Sequence, residues 1–117
     1  MLTNCPPVDQ LQFIINRYSQ GHLQEALSDT HRMLNTFPHS IALCNLAGAC
    51  NMGLMQFDAA ISNYRKVIKI DPDDAEAYYN MGVALAKIGD LGGAIEAYKQ
   101  ALNIMPNYAQ ASISFVL

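Results

Sequence analysis

The sequence predicts an all-α fold, a solenoid of antiparallel helix pairs, from three observations. The first is a period of 34 residues, which separates Pro38, Pro72 and Pro106. The second is that small and aliphatic residues keep the same period, as Ala60 and Ala94 do. The third is that apolar residues between the prolines recur at helical spacing, without the alternation typical of strands. A repeat of this length holds two helices, which must stack on neighbouring repeats to bury both faces.

The period divides the 117 residues into three full units and the start of a fourth, as one continuous array over residues 1–117. Unit 1 covers about residues 7–40, unit 2 residues 41–74, unit 3 residues 75–108 and a partial unit residues 109–117. Turn signals such as Gln20-Gly21 and Gly89-Asp90 divide the units into two helices each. The predicted helices cover residues 7–19, 23–37, 41–53, 57–70, 75–87 and 91–105.

Unit 3 has the clearest local signals. Asp73 followed three residues later by Glu76 is typical of a capping box, so Asp73 is expected to cap the first helix of this unit. Pro106 is expected to end the second helix. Ile95 and Leu102 belong to the apolar stripe that this second helix is expected to bury.

Two glycines at the 34-residue period, Gly48 and Gly82, are expected to let the two helices of a unit approach closely. The small residues expected to face them are Ala60 and Ala94. The tyrosines of the second helices are then expected to fill the space between one unit and the next.

Composition limits the classes of partner. Hydrophobic residues make up 51% of the chain and charged residues 15%, which is too apolar for a disordered chain. A formal charge of −3 argues against nucleic acid or anionic lipid as the main partner. No long apolar run or secretory signal is present in the sequence, so we expect no membrane span. An odd, sparse set of three cysteines indicates free thiols and a cytoplasmic location.

No arrangement of residues indicates catalysis, a metal site or a cofactor site. His22, His31 and His39 are not spaced like a catalytic set and are interpreted as surface residues. Cys44 and Cys50 are six residues apart on one predicted helix, so they point to different faces and are poorly placed to share a metal. Cys44 is expected to be a small buried apolar residue. We therefore expect a protein that is not an enzyme.

These repeats resemble the tetratricopeptide repeat (TPR) family. Unit 3 is similar to the family pattern throughout, at Tyr78, Met81, Gly82, Leu85, Ala94, Tyr98, Ala101 and Pro106. Unit 2 departs from it at Cys44 and Asn51, and unit 1 matches only in its second helix, through Ala26, Met33 and Pro38. The resemblance implies a right-handed superhelix and a non-enzymatic protein-interaction module.

The resemblance also implies a concave groove, lined by the first helix of each unit, that binds a peptide or a partner helix. The inward positions map onto Leu11, Ile15, Tyr18, Asn45, Ala49, Met52, Glu76, Tyr79, Asn80, Val83 and Lys87. Some members of the family bind the terminal carboxylate of a chaperone peptide through basic residues and asparagines. Those places hold Leu11, Ile15, Leu46, Glu76 and Asn80 here, so the clamp is absent and we do not expect binding to acidic chaperone tails.

The last residues begin a fourth unit and stop within its first helix. The sequence is therefore expected to be a fragment of a longer chain, or to form homo-oligomers through an exposed apolar end. The residues expected to mediate that self-association are Ile113, Phe115, Val116 and Leu117. Two alternatives to a peptide-binding module stay open: an N-terminal recognition arm of a larger sulfotransferase or glycosyltransferase, which only resemblance suggests, and a self-assembly module that uses the repeat ends.

Overall fold

Six α-helices follow one another in the computed structural model, which describes residues 5–107. They are α1 (Val8–Ser19), α2 (Leu23–Thr36), α3 (Ile41–Gly53), α4 (Phe57–Ile70), α5 (Ala75–Lys87) and α6 (Leu91–Ile104). Each helix packs mainly against the helices next to it in the chain. The all-α fold and the predicted helices are confirmed, with ends that differ by one residue at most. The partial unit expected at residues 109–117 lies outside the described residues.

The first helix of every unit ends in the same turn. Gly21, Met55 and Gly89 lie 34 residues apart and have positive φ angles of 85°, 61° and 89°. Each turn is a Schellman motif, in which the amide of this residue and the next amide donate to carbonyls of the preceding helical turn, as Gly21 does to Tyr18 at 3.0 Å. Left-handed backbone costs a residue with a Cβ about 1 kcal/mol, so Met55 strains the turn of unit 2.

Side-chain caps begin α3, α5 and α6. The hydroxyl of Ser40 accepts the amide N–H of Leu43 at the start of α3, and Asp90 caps α6 in the same way. The expected cap at Asp73 is wrong by one residue. The helix begins at Ala75, so the preceding residue, Asp74, is the cap, and its carboxylate accepts the Ala77 amide at 3.0 Å.

Three apolar clusters form the core, and each joins helices of consecutive units. Ile14 and Leu27 of unit 1 pack with Ala47 of unit 2, for example, and Ile61 of unit 2 packs with Leu85 of unit 3. The stabilising contacts are therefore between nearest neighbours along the chain, as expected of a repeat array.

The close helix contact at the glycines is made by tyrosine, which corrects the expectation that alanines face them. A Cβ built on Gly48 would lie 2.7 Å from ring carbons of Tyr64, and one on Gly82 would lie 2.7 Å from a ring carbon of Tyr98. The missing Cβ therefore makes room for the edge of an aromatic ring within the unit.

Unit 1 fills the equivalent space differently. The residue 34 positions before Gly48 is Ile14, and the residue 34 positions before Tyr64 is Thr30. Both are fully buried, and the Thr30 hydroxyl donates to the carbonyl oxygen of Ala26 at 2.7 Å. The large side chain of this contact thus lies on the first helix in unit 1 and on the second helix in units 2 and 3, which explains why unit 1 has no glycine at this position.

The expectation that α6 buries Ile95 and Leu102 is wrong. Ile95 and Leu102 are 53% and 39% exposed, whereas Ala94, Ala97 and Ala101 are buried. In the repeat register, Ile95 corresponds to Ile61, which a following unit covers. The face of α6 is not covered in this way by a helix within residues 5–107. No helix in this range is long and apolar enough to cross a membrane.

Candidate functional site

A hollow of about 240 Å³ lies along the first helices of all three units. Its lining comes from α1, α3 and α5, with one side chain from α4. The lining residues are Leu11, Ile15, Ala42, Asn45, Leu46, Ala49, Tyr64, Glu76 and Asn80. Six of the predicted groove residues therefore line one continuous surface, because every first helix presents the same face to it.

The hollow has apolar walls and a few polar groups. Leu11, Ile15 and Leu46 are half-buried and form much of the apolar wall. Two amides, Asn45 and Asn80, and the exposed carboxylate of Glu76 supply the polar groups. A lining of this kind suits an amphipathic segment whose polar atoms need fixed partners.

The carbonyl oxygen of one amide has no partner. Oδ1 of Asn45 is buried and accepts no hydrogen bond within the described part of the chain. A buried acceptor left in this state costs about 1–3 kcal/mol. This acceptor belongs to a residue that lines the hollow.

The sequence did not single out Tyr64 as a lining residue. Tyr64 was expected only to pack between units, and it is indeed 2% exposed. Its ring passes beside Gly48, with the hydroxyl oxygen 3.1 Å from the position of a built Cβ, and it reaches the hollow from the second helix. The feature of the sequence that could have identified Tyr64 is Gly48, because a missing Cβ opposite an aromatic residue allows the ring to cross the first helix.

Five predicted groove residues do not line the hollow. Tyr18 and Met52 pack at the edges of apolar clusters, and Tyr79 contacts Tyr98 with ring centroids 5.5 Å apart. Val83 is half-buried, and Lys87 is exposed at the last position of α5. The four residues expected to mediate self-association, at positions 113–117, lie outside the described residues.

The thiols of Cys44 and Cys50 are buried and protonated at neutral pH. Burial raises the pKa of Cys50 to about 11. Burial also raises the pKa of Cys44, although the positive charge of Lys66 opposes the shift. The two thiols lie in different apolar clusters, so Cys44 is a buried apolar residue as expected. A thiol with a raised pKa is a poor nucleophile.

The histidines and carboxylates form no metal cluster in the described range. His22, His31 and His39 are all exposed. No group of three or more histidine, cysteine, aspartate or glutamate residues within residues 5–107 is placed to hold a metal ion. The hollow is therefore the candidate site.

Two family models match the chain. A TPR repeat model matches residues 56–89, and a tetratricopeptide repeat model matches residues 75–108. Both matches fall on the part of the chain that follows the family pattern most closely.

Curated relatives share part of the chain. A tetratricopeptide repeat protein 8 of Caenorhabditis elegans is 30% identical over 100 residues, which cover 84% of this chain and 18% of the relative. A CTR9 homolog of Arabidopsis thaliana is 29% identical over 90 residues, which cover 77% of this chain and 8% of the relative. The chain thus spans less than a quarter of the length of these relatives.

Solved structures share the fold. The first TPR domain of Spaghetti (RPAP3), bound to the HSP90 peptide SRMEEVD, has a TM-score of 0.84 at 20% identity, covering 92% of this chain and 85% of that one. The Yersinia enterocolitica chaperone SycD, in complex with a peptide of the translocator YopD, also has a TM-score of 0.84, at 18% identity, covering 91% and 83%.

MamA has a TM-score of 0.83 at 24% identity, covering 87% of this chain and 60% of that one. At these identities the likeness describes the fold alone. The family models over residues 56–108 and the 34-residue period identify this chain as one built of tetratricopeptide repeats.

Proposed function

We propose that this chain is a non-enzymatic module that binds a peptide segment or a partner helix in the hollow along α1, α3 and α5. The observation that carries the proposal is the lining of the hollow, where three consecutive units contribute side chains to one surface. An extended peptide that crosses this surface would contact every unit, so its binding energy would add up along the array.

The remaining predicted groove residues extend the proposed surface. Val83 and Lys87 follow the lining residue Asn80 along α5, and Tyr79 precedes it. A segment longer than the hollow would continue along α5 toward Val83 and Lys87. Two structural relatives carry peptides, the HSP90 peptide on Spaghetti and the YopD peptide on SycD, which supports a peptide as the class of partner.

The test is selection of peptides from a random library displayed on phage, followed by binding measurements with variants of the hollow. Ala49→Trp places a large ring in the hollow and is expected to weaken the selected peptides by at least about tenfold. Ala59→Trp is the matched control, because Ala59 is exposed on α4 outside the hollow. Failure to select any peptide, or equal binding by the two variants, would contradict the proposal.

A second candidate function is self-association through the array end. It is supported by the exposed apolar residues on α6, among them Leu91 and Ile95. The repeat register covers the equivalent residues of α4 with the next unit. The expected result is a mass that grows with concentration and falls back to that of one chain in Ile95→Lys. A constant monomeric mass would contradict it.

Two further points stay proposals. Free thiols at Cys44 and Cys50 support a cytoplasmic location. An arm that positions a partner for a larger transferase is compatible with the same hollow, and a transferase domain in the same natural chain is the observation that would support it.

A further inference from the structure

We propose that the hollow receives a positively charged side chain, a lysine or an arginine, of the bound peptide. The inference rests on the proposed function and adds the chemistry of the partner at one position. Three features of the hollow support it: the charge of its lining, the unpartnered carbonyl oxygen of Asn45, and the apolar walls.

The charge of the lining is negative. Among the residues that line the hollow, Glu76 alone carries a charge, and it lies in the first turn of α5. Asp74, the cap of this helix, adds a second carboxylate two positions earlier. Lys87, at the far end of α5, is about 16 Å away along the helix axis. Helix α5 is therefore acidic at its first turn, which meets the hollow at Glu76, and basic at its last turn.

The amide of Asn45 requires a donor. Its Oδ1 atom is buried without a partner within the described residues, and a ligand that donates a hydrogen bond would satisfy it. An ammonium or guanidinium group has several N–H donors and no acceptor, so it can serve both Asn45 and the carboxylate of Glu76. A ligand carboxylate would instead place acceptor against acceptor and negative charge against negative charge.

The apolar walls suit the rest of such a side chain. Lysine and arginine carry three or four methylene groups between the backbone and the charge, and these groups bury readily against apolar surface. Leu11, Ile15 and Leu46 would cover the methylene groups. The charged end would reach the polar rim at Glu76, where solvent still has access because this residue is exposed.

The experiment uses the peptides selected from the phage library. We expect the selected sequences to share a lysine or arginine at one position. Replacing that residue with norleucine, which keeps the stem and removes the charge, should weaken binding about three- to tenfold, the range for a partly exposed ion pair with an added hydrogen bond. Replacing it with glutamate should weaken binding further.

Two variants of the chain locate the effect. Glu76 is exposed, so Glu76→Gln should leave folding unchanged. It should nevertheless reduce the preference for lysine over norleucine to less than about twofold. Asn45→Leu removes the unpartnered oxygen and should reduce the same preference without lowering the free energy of unfolding. Glu96→Gln is the matched control, because it removes one negative charge from the exposed side of α6 and should leave the preference unchanged.

The outcomes separate this inference from the proposed function. If the selected peptides bind Ala49→Trp more weakly but show no preference for lysine over norleucine, the inference is overturned and the proposed peptide-binding function stands. A preference that falls equally in Glu76→Gln and Glu96→Gln also overturns it, because it would reflect the net charge of the chain. Failure to select any peptide contradicts the function, and the inference with it.

Discussion

Units 2 and 3 place different side chains at the same point between their two helices. In unit 2, Asn51 is 2% exposed and its Oδ1 accepts a hydrogen bond from the amide of Asn63 at 2.8 Å. The amide of Asn51 also donates to the side-chain carbonyl of Gln56 at 2.9 Å. In unit 3, the residues 34 positions later are Leu85 and Ala97, which are buried in an apolar cluster. One helix pair is joined by amides and the other by apolar contact.

In unit 1 the same two positions hold charged residues. Arg17 and Asp29, which precede Asn51 and Asn63 by 34 residues, form an ion pair at 3.4 Å. Arg32 adds a second contact to Asp29 at 2.9 Å. The three units thus use a charged, an amide and an apolar pair on the same pair of helices. The backbone does not dictate the polarity of this contact, but the two helices must agree on it, since a buried polar group needs a partner.

The largest expected effect compares the tyrosines of the two units. Tyr64→Ala should lower the free energy of unfolding by about 3–5 kcal/mol, because Tyr64 is fully buried between neighbouring units. Tyr98→Ala should cost less, since Tyr98 is only half-buried. Urea unfolding of both variants is the measurement. Equal losses would mean that units 2 and 3 are packed equally well around their tyrosines.

The second effect concerns Cys50, which unit 3 replaces with Ala84. The pKa of this thiol is raised from 9.0 to about 11 in the folded chain. Between those pH values the unfolded chain loses the proton and the folded chain keeps it, so stability should fall as pH rises, by about 2–3 kcal/mol in total. Chemical denaturation at pH 8 to 11 should show a smaller decline in Cys50→Ala. The same decline in both proteins would contradict this origin.

The third effect converts the amide pair of unit 2 into the apolar pair of unit 3. Asn51→Leu alone should cost about 2 kcal/mol, because the amide of Asn63 is left buried without its partner. Adding Asn63→Ala should recover most of the loss, since both polar groups are then gone. A double-mutant cycle measured by urea unfolding decides it. Additive losses in the double variant would show that the two amides act independently.

The smallest effect concerns the turn. Met55→Gly gives unit 2 the residue that units 1 and 3 have at this position, and it should stabilise the chain by about 0.5–1 kcal/mol because the left-handed φ no longer strains a Cβ. Gly89→Met is the reverse control and should destabilise unit 3 by a similar amount. Thermal unfolding of the two variants checks the pair, and a destabilised Met55→Gly would contradict the strain.

The helices could be predicted from sequence because period, turns and prolines agree in each unit. Spacing alone predicts Asp73 as a cap, but α5 begins at Ala75, so the residue directly before it, Asp74, caps the helix. The partners of Gly48 were also missed, because a pattern shows that two positions are small without showing which side chain enters the space between them.

The hollow could be predicted only in part. Residues such as Leu11 and Asn45 follow from the register, because each first helix presents the same face. Tyr64 could not be obtained this way, since it reaches the hollow from the second helix. Tyr18 and Met52 have the inward register but pack at the edges of the core, so register alone does not separate a groove residue from a packing residue.

Unit 1 carries the large side chain of the helix contact on its first helix, at Ile14, and the small one on its second helix, at Thr30. This reversal relative to units 2 and 3 has a consequence for recombination among such repeats. A crossover between whole units keeps each large residue with its small partner. A crossover within the turn between the two helices of a unit would join the first helix of unit 1 to the second helix of unit 2, setting Ile14 against Tyr64 in a space that holds one of them. The unit that can be inherited or transplanted intact is therefore the helix pair, and a single helix is not interchangeable with its counterpart in the next repeat.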